Sequence, residues 1–566
     1  MALAVAAVVA ATAASQALRP QGPLNRVIVR ATQSAVGDLD SAISAVGGRV
    51  LSHIGIVDAA VAEVPASGLA ALRAAQGIVE VTPDLPVQLD SLPSGYDPTT
   101  DVASAYSTTL LTGAQSYWSA GYTGAGIDVA LIDSGTVPVD GLLNGRVVNG
   151  PDLSFESTVP QYRNLDTFGH GTHMASLIAG HDSEAVTPYS ANTSAYVGMA
   201  PDARVVSIKV ADYHGIADVS QVLAGIDWAV EHAHDPGMNI RVMNLSFGTN
   251  ATQSYVLDPL SFAAETAWHH GIVVVASTGN AGWKAGVNNP AENPYLIAVG
   301  AANTNGTMTT ADDSVAAFSS GGDSTRNPDL VAPGVHLQGL RDPGSAIDSL
   351  NPQAVLAGRF FRGSGTSQAT AIVSGAVALI LQQHPNATPD QVKALLRGTA
   401  TPLANTSAVY QGTGELNLGS AVTAVLQPAL FTTQLFVPST GLGTIEGSRG
   451  SVHVSFSNGV TLTGEVDAHL SPIAAGPLAY LESILGAWTG ATFNGAIWDG
   501  NTQPPTGSEY AGSNWSGSNW SGSNWSGSNW SGSNWSGSNW SGSNWSGSNW
   551  SGSNWSGSNW SNAEWD

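Results

Sequence analysis

Three short segments carry side chains that, brought together, could turn a hydroxyl into a nucleophile. Asp133 closes the run Ile127–Asp133 (IDVALID), and Ser134-Gly135 follows, where the chain must turn. His170 stands in Gly169-His170-Gly171-Thr172-His173, ahead of the small-residue stretch Met174–Gly180. Ser367 lies in Gly363-Ser364-Gly365-Thr366-Ser367-Gln368-Ala369-Thr370, just before the apolar run Ala371–Leu381. A serine hydroxyl reacts poorly until a neutral imidazole takes its proton and a carboxylate fixes the tautomer of that imidazole. At the start of a helix it also has exposed N–H groups and a positive dipole end beside it, which favour a developing oxyanion. Each segment has a plainer reading when taken alone. An Asp at a strand end is commonly a turn or helix cap, and a Ser at a helix start is commonly an N-cap. His170 and His173 have the spacing of two metal ligands, but no third ligand or general-base Glu stands at zincin distance.

Those side chains need a frame. Ile127–Asp133, Arg204–Val210, Ile240–Leu245, Ile272–Ala276 and Leu296–Ala301 are short, β-branched and almost wholly apolar. Strands buried on both faces read this way, so the sheet is expected to be mostly parallel with helices on both faces. Val219, Val222, Leu223, Ile226 and Val230 form a helical stripe between two of the strands. Thr388-Pro389-Asp390-Gln391 opens a further helix with a cap, a first-turn proline and a capping box. An α/β fold follows, with its ligand site at the carboxyl ends of the strands. Ahead of it, residues 26–84 read as β-α-β-β-α-β, a split βαβ unit of α+β type. Residues 85–105, rich in Pro, Ser and Asp, read as a linker. Strand-like stretches at Ala429–Val437, Ser451–Phe456 and Val460–Asp467 make residues 428–510 a small β-rich appendage.

With the order Asp133, His170, Ser367 in place, a resemblance is plain. VALIDSG, DTFGHGTHMASLIAG, VMNLSFG, VVVASTGN and GSGTSQAT resemble, in sequence and in order, the diagnostic blocks of the subtilisin-like serine peptidases. The match covers residues 106–427, and residues 26–84 resemble the inhibitory propeptide of the same family. The resemblance implies roles. Asp133 would orient and charge-stabilise the imidazole, His170 would serve as general base and then general acid, Ser367 would be the nucleophile, and His173 would be structural. Asn280 would donate its amide to the oxyanion jointly with the Ser367 N–H. Ser246, Phe247 and Gly248 would form a backbone rail for an extended peptide, an arrangement that suits broad specificity. No cofactor is implied for catalysis. Structural calcium is common in the family, with Asp140, Asp152 and Asp166 as loop carboxylates that are equally readable as solvated turns. Two positions depart from the family pattern. Gln368 stands where Met is usual, which removes an oxidisable thioether from beside the serine, and Ala371 stands where Pro is usual.

Composition sets the outer bounds. The chain has 566 residues, 18 Lys plus Arg against 42 Asp plus Glu, and a net charge of −24. Nothing here could neutralise a phosphate backbone, so nucleic acid is excluded as a partner. With no cysteine, disulfides, thiol nucleophiles and Cys-ligated metals are excluded too. Residues 1–17 have the apolar body and small-residue end of a secretory signal, though no basic residue precedes them; the alternative is a buried N-terminal helix. Secretion, with surface association as an option, is the expectation. Gly512–Ser561 repeats Gly-Ser-Asn-Trp-Ser ten times. That tail reads as a flexible stalk, or else as an ordered coil or a module that sticks to wall or glycan. Protein or peptide substrates and the chain's own prodomain, as an intramolecular inhibitor, are the expected partners. The rival function is a non-catalytic surface-binding protein on a peptidase scaffold.

Overall fold

The computed structural model describes residues 24–55, 58–83, 96–451, 453–455 and 460–470, with four isolated strand dipeptides between 526 and 550. The chain divides into two units, Met1–Ser91 and Leu92–Asp566.

In the first unit, strand β1 (Leu24–Ala31), helix α1 (Leu39–Ala45), β2 (Arg49–Ile54), β3 (Ala59–Pro65), α2 (Leu69–Arg73) and β4 (Ile78–Pro83) follow in the expected order. The sheet order is β2-β3-β1-β4, antiparallel throughout. Its two helices cover one face, where Val27, Val29, Leu39, Ile43, Ala60, Ala62, Val64 and Leu72 form a separate small core.

The second unit is built on β5 (Asp128–Asp133), β6 (Val147–Asp152), helix α3 (His170–Ala179), β7 (Arg204–Lys209), α4 (Val219–Glu231), β8 (Ile240–Leu245), α5 (Pro259–His269), β9 (Val273–Ser277) and β10 (Ile297–Asn303). There follow β11 (Ser314–Val315), β12 (Leu330–Pro333), β13 (Leu337–Leu340), β14 (Val355–Leu356), β15 (Phe360–Gly363), α6 (Thr366–Gln383) and α7 (Pro389–Thr399). The main sheet runs β11-β10-β9-β8-β5-β7-β6, with β12 also on β10. Every pair is parallel except β10 with β11. Each residue of β5 is buried, as its apolar run required. From β5 the chain crosses to β6 and β7 on one side and then to β8 on the other. The carboxyl end of β5 is therefore the topological switch point, where α/β sheets place their ligands. Asp133 is the residue there.

Two sequence expectations need correction. Residues 96–105 are not a loose linker. Arg362 Nη2 donates to Asp101 Oδ2 at 2.5 Å, the Ala105 N–H donates to Gln338 Oε1 at 2.9 Å, and the Gln338 N–H returns to the Ala103 carbonyl at 2.9 Å. The described part of the 428–510 appendage is not a β module either. Ala429–Thr432 and Ile445–Arg449 are short helices, and Ser455–Thr461 is an isolated bridge. Its backbone groups are spent on peptidase-domain partners instead. The Gln434 N–H donates to Asp390 Oδ2 (3.1 Å), the Ser439 N–H to Glu265 Oε2 (3.0 Å) and the Thr440 N–H to the Val256 carbonyl (2.7 Å). Residues 456–459 and 471–510 lie outside the described residues, as do 1–17 and most of the repeats. Within the tail, Ser526–Gly527 pairs in parallel with Ser531–Gly532, and Asn544–Trp545 with Asn549–Trp550. That register is one repeat. Among the described residues no helix is long and apolar enough to cross a membrane.

The appendage is fastened at one point above all. Arg449 is fully buried against Asp218, itself fully buried, with Nε–Oδ2 at 2.7 Å and Nη2–Oδ1 at 3.2 Å. Asp218 also caps α4, accepting from Ser220 N (3.0 Å) while Gln221 Oε1 accepts its own N–H (2.7 Å). Burial raises the Asp218 carboxyl, but the Arg449 charge and hydrogen bonds outweigh it and hold it below the ordinary carboxylate range. Removing one partner of such a pair leaves a buried charge uncompensated. Arg449→Met should therefore cost about 3–5 kcal/mol of unfolding free energy in denaturant titrations; a loss under about 1 kcal/mol contradicts this placement of the appendage.

Candidate active site

Asp133 and His170 meet at the end of β5. The imidazole Nδ1 lies 2.8 Å from Asp133 Oδ1 and 3.0 Å from Oδ2, with both residues 1% exposed. A carboxylate accepts only, so Nδ1 carries the proton and Nε2 is left with a lone pair. Burial dominates the titration of both groups. It holds the His170 imidazole well below its ordinary value, so the ring is neutral at pH 7. It also raises the Asp133 carboxyl, while hydrogen bonds from the Ser134 N–H (2.8 Å) and Oγ (3.2 Å) and the charge of Lys209 act the other way and favour the carboxylate.

A second layer fixes this pair. Asp166 Oδ1 accepts from the N–H groups of Phe168 (3.2 Å) and Gly169 (2.6 Å) and from Ser134 Oγ (2.8 Å), and its Oδ2 accepts from the Thr172 N–H (2.7 Å). Asp166 thus holds the first turn of α3, on which His170 is the first residue, to the loop after β5. Gly171 must be glycine here, because a Cβ would stand 2.1 Å from the Gly135 carbonyl oxygen. Lys209, 1% exposed, donates to the Ser134 and Ala211 carbonyls at 2.9 and 2.8 Å and pairs with Glu156 at 3.1 Å. His173 turns elsewhere. Its Nε2 faces the Phe361 carbonyl at 3.1 Å, which removes the paired-histidine metal reading.

Ser367 is the second residue of α6, which packs against α3. Its Oγ donates to the Ser246 carbonyl at 3.0 Å, and Ser246 Oγ donates back to the Ser367 carbonyl at 3.2 Å. Ser246 is held in turn by Asn244 Nδ2 (2.8 Å), and Asn244 Oδ1 by Ser374 Oγ (2.9 Å). Ser246, Asn244 and the start of α6 are therefore one buried polar network. Asn280 Oδ1 accepts from the Thr366 N–H and Oγ1, both at 2.9 Å. That fixes the amide's orientation and leaves Nδ2 facing the other way. Asn288 was not singled out in the sequence. It packs across Gly248 and Gly279, with its Nδ2 2.5 Å from where a Cβ on Gly279 would stand. No pattern in the sequence marks it, since it lies well past the Thr-Gly-Asn block.

The three loop carboxylates do not fit calcium. Asp140 pairs with Arg359 at 3.2 Å, and Asp182 also holds that guanidinium, with Nη1–Oδ2 at 2.9 Å. Asp152 accepts from Ser154 N (3.0 Å), Ser154 Oγ (2.6 Å) and Asn164 N (2.8 Å), and Asp166 is filled as above. Each already has protein donors, and no group of three potential ligands occurs among the described residues.

Residues 124–416 match the subtilase family. The chain belongs to that family. Serine protease AprX of Bacillus subtilis (strain 168) is 35% identical over 307 residues, covering 53% of this chain and 67% of the relative. Subtilisin E of the same organism is 35% identical over 313 residues, covering 54% and 67%. The crystal structure of fervidolysin from Fervidobacterium pennivorans, a keratinolytic enzyme related to subtilisin, is 26% identical with a TM-score of 0.46. That comparison covers 72% of this chain and 62% of the other. Membership places the subtilase in a family of serine endopeptidases that need no catalytic cofactor.

One titration beside the site is measurable. Asp342 is buried, and burial together with Asp166 and Asp348 pushes its carboxyl up to about 9 despite Lys209. A raised carboxyl stabilises the fold in its protonated form. That contribution is complete below the ordinary carboxyl range near pH 4 and fades as pH climbs to about 9. In an inactive Ser367→Ala background, Asp342→Asn should therefore flatten the fall of Tm between pH 5 and 9. Equal slopes with and without Asp342→Asn contradict the assignment.

Proposed function

We propose that this subtilase is a secreted serine endopeptidase, made as a self-processing zymogen and acting through Asp133, His170 and Ser367. The observation that carries the reading is the buried Asp133–His170 contact, with a neutral imidazole whose proton is on Nδ1 and whose lone pair is on Nε2. Ser367 Oγ turns about its Cα–Cβ bond from the Ser246 carbonyl to this base, loses its proton to Nε2 and attacks the scissile carbonyl. The carbonyl electron pair moves onto oxygen, where Asn280 Nδ2 and the Ser367 N–H receive it. Such a donor contributes about 3–4 kcal/mol. His170 then returns the proton to the leaving amine, and water repeats the sequence on the acyl-enzyme.

Backbone pairing with Ser246, Phe247 and Gly248 supports broad specificity, because a rail of amides is blind to side chains. Residues 26–84 act as the intramolecular inhibitor until they are cut away. Because residues 96–105 are wired to Arg362 and Gln338, the cut falls between 84 and 95. Residues 1–17 direct secretion, and the Trp-repeat tail serves as a contact to wall or surface. Intact mass and N-terminal sequencing test this. Wild type is expected to begin at or before residue 96 while Ser367→Ala keeps its prodomain. If both keep the prodomain, the binding-scaffold reading replaces this one.

A further inference from the structure

Gln368, the residue after the serine, is 1% exposed, and its Oε1 is without a hydrogen-bond partner. Buried carboxamide oxygens are rarely left so. Its position explains why this one is. A Cβ built on Gly365 would stand 2.7 Å from Gln368 Oε1, 3.4 Å from Asn280 Nδ2 and 3.6 Å from the Ser367 backbone nitrogen. One point in front of Gly365 is thus shared by the two oxyanion donors of the proposed mechanism and by the Gln368 amide. The other end of that amide, Nε2, lies 2.5 Å from where a Cβ on Gly363 would be, beside the His173 ring. Any side chain at residue 363 or 365 would collide with the amide. Glycine at both keeps that space clear.

A carboxamide has a donor end and an acceptor end, and its terminal torsion is broad and soft, so rotation exchanges them. In the resting site the acceptor end is the one near that point. A negative oxygen forming there repels Oε1 and attracts the amino group. We propose that Gln368 is a catalytic residue, a third oxyanion donor whose amide turns to present Nε2 as the tetrahedral intermediate forms. This rests on the peptidase reading above. Gln368 gives up no proton: the Ser367 Oγ–carbon bond forms, the carbonyl π pair goes to oxygen, the hydroxyl proton goes to His170, and Gln368 only hydrogen-bonds the result. An interaction made only in the transition state raises kcat and leaves KM alone.

The test is steady-state kinetics of mature wild type, Gln368→Met, Asn280→Ala and the double variant on a chromogenic peptide anilide. Fluorophosphonate stoichiometry and Tm are measured on each. Gln368→Met keeps the volume and removes the donor. Its kcat is expected to fall at least tenfold at unchanged KM, with normal labelling of Ser367. The loss from Asn280→Ala should be at least tenfold larger in the Gln368→Met background than in wild type, because neither amide can then substitute for the other. A Gln368→Met enzyme that labels normally and keeps wild-type kcat overturns the third donor and leaves the peptidase reading intact. A wild type that takes no fluorophosphonate overturns the peptidase reading and this inference with it. Should Gln368→Met fail to fold by Tm, Gln368→Leu carries the same expectation.

Discussion

Burying a carboxylate at the end of the central strand is the constraint around which the second unit is organised. Asp133 is 1% exposed, and desolvation raises its carboxyl by disfavouring the charged form. It is useful only if donors and a cation make the charged form tolerable. Ser134 supplies its N–H and a hydroxyl shared with Asp166 from the next residue, and His170 supplies Nδ1. Lys209 supplies the cation from the neighbouring strand, in direct register with Asp133. Lys209 is itself buried and stays charged because Glu156, Asp152 and Asp166 surround it. The site is thus the visible end of an ionic network reaching through β5, β6 and β7.

The same economy shapes the second half of the site. Ser367, Ser246 and Asn280 all lie on segments that hydrogen-bond one another through Asn244, Ser246, Thr366 and Ser374. Small residues make that possible, because α6 can come close to β8 only where side chains are short. Farther out, the appendage after residue 428 holds α4 and α5 by their N-caps. Arg449 takes Asp218, and Ser448 Oγ donates to Asp258 Oδ2 at 2.6 Å. Asp258 in turn caps α5 through Leu260 N and Ser261 N.

Much of this was legible in the sequence. The apolar runs at Ile127–Asp133 and Ile240–Leu245 read as doubly buried parallel strands because a strand covered on both faces has no polar side to show. The capping box at Thr388 was legible because cap chemistry is local, with Thr388 Oγ1 accepting from Gln391 N at 3.3 Å. What escaped was non-local. Ala429–Val437 has strand composition, but strand formation depends on a partner edge, and the donors there found Asp390 and the Tyr295 carbonyl with Gln434 instead. Asp166 was seen only as a loop carboxylate. Its work of tying the first turn of α3 to the loop after β5 depends on Ser134, 32 residues away. The Asp218 capping box was readable by the same rule as Thr388, while its arginine partner, 231 residues distant, was not.

The central claim is that buried Asp133 holds His170 in the tautomer that activates Ser367. The rate of fluorophosphonate labelling at Ser367, with the adduct mapped by mass, tests it most directly when mature wild type is compared with Asp133→Asn. The amide keeps the shape and can hold the wrong tautomer, so labelling should slow by roughly ten-thousandfold. Equal labelling rates in the two proteins would contradict the account.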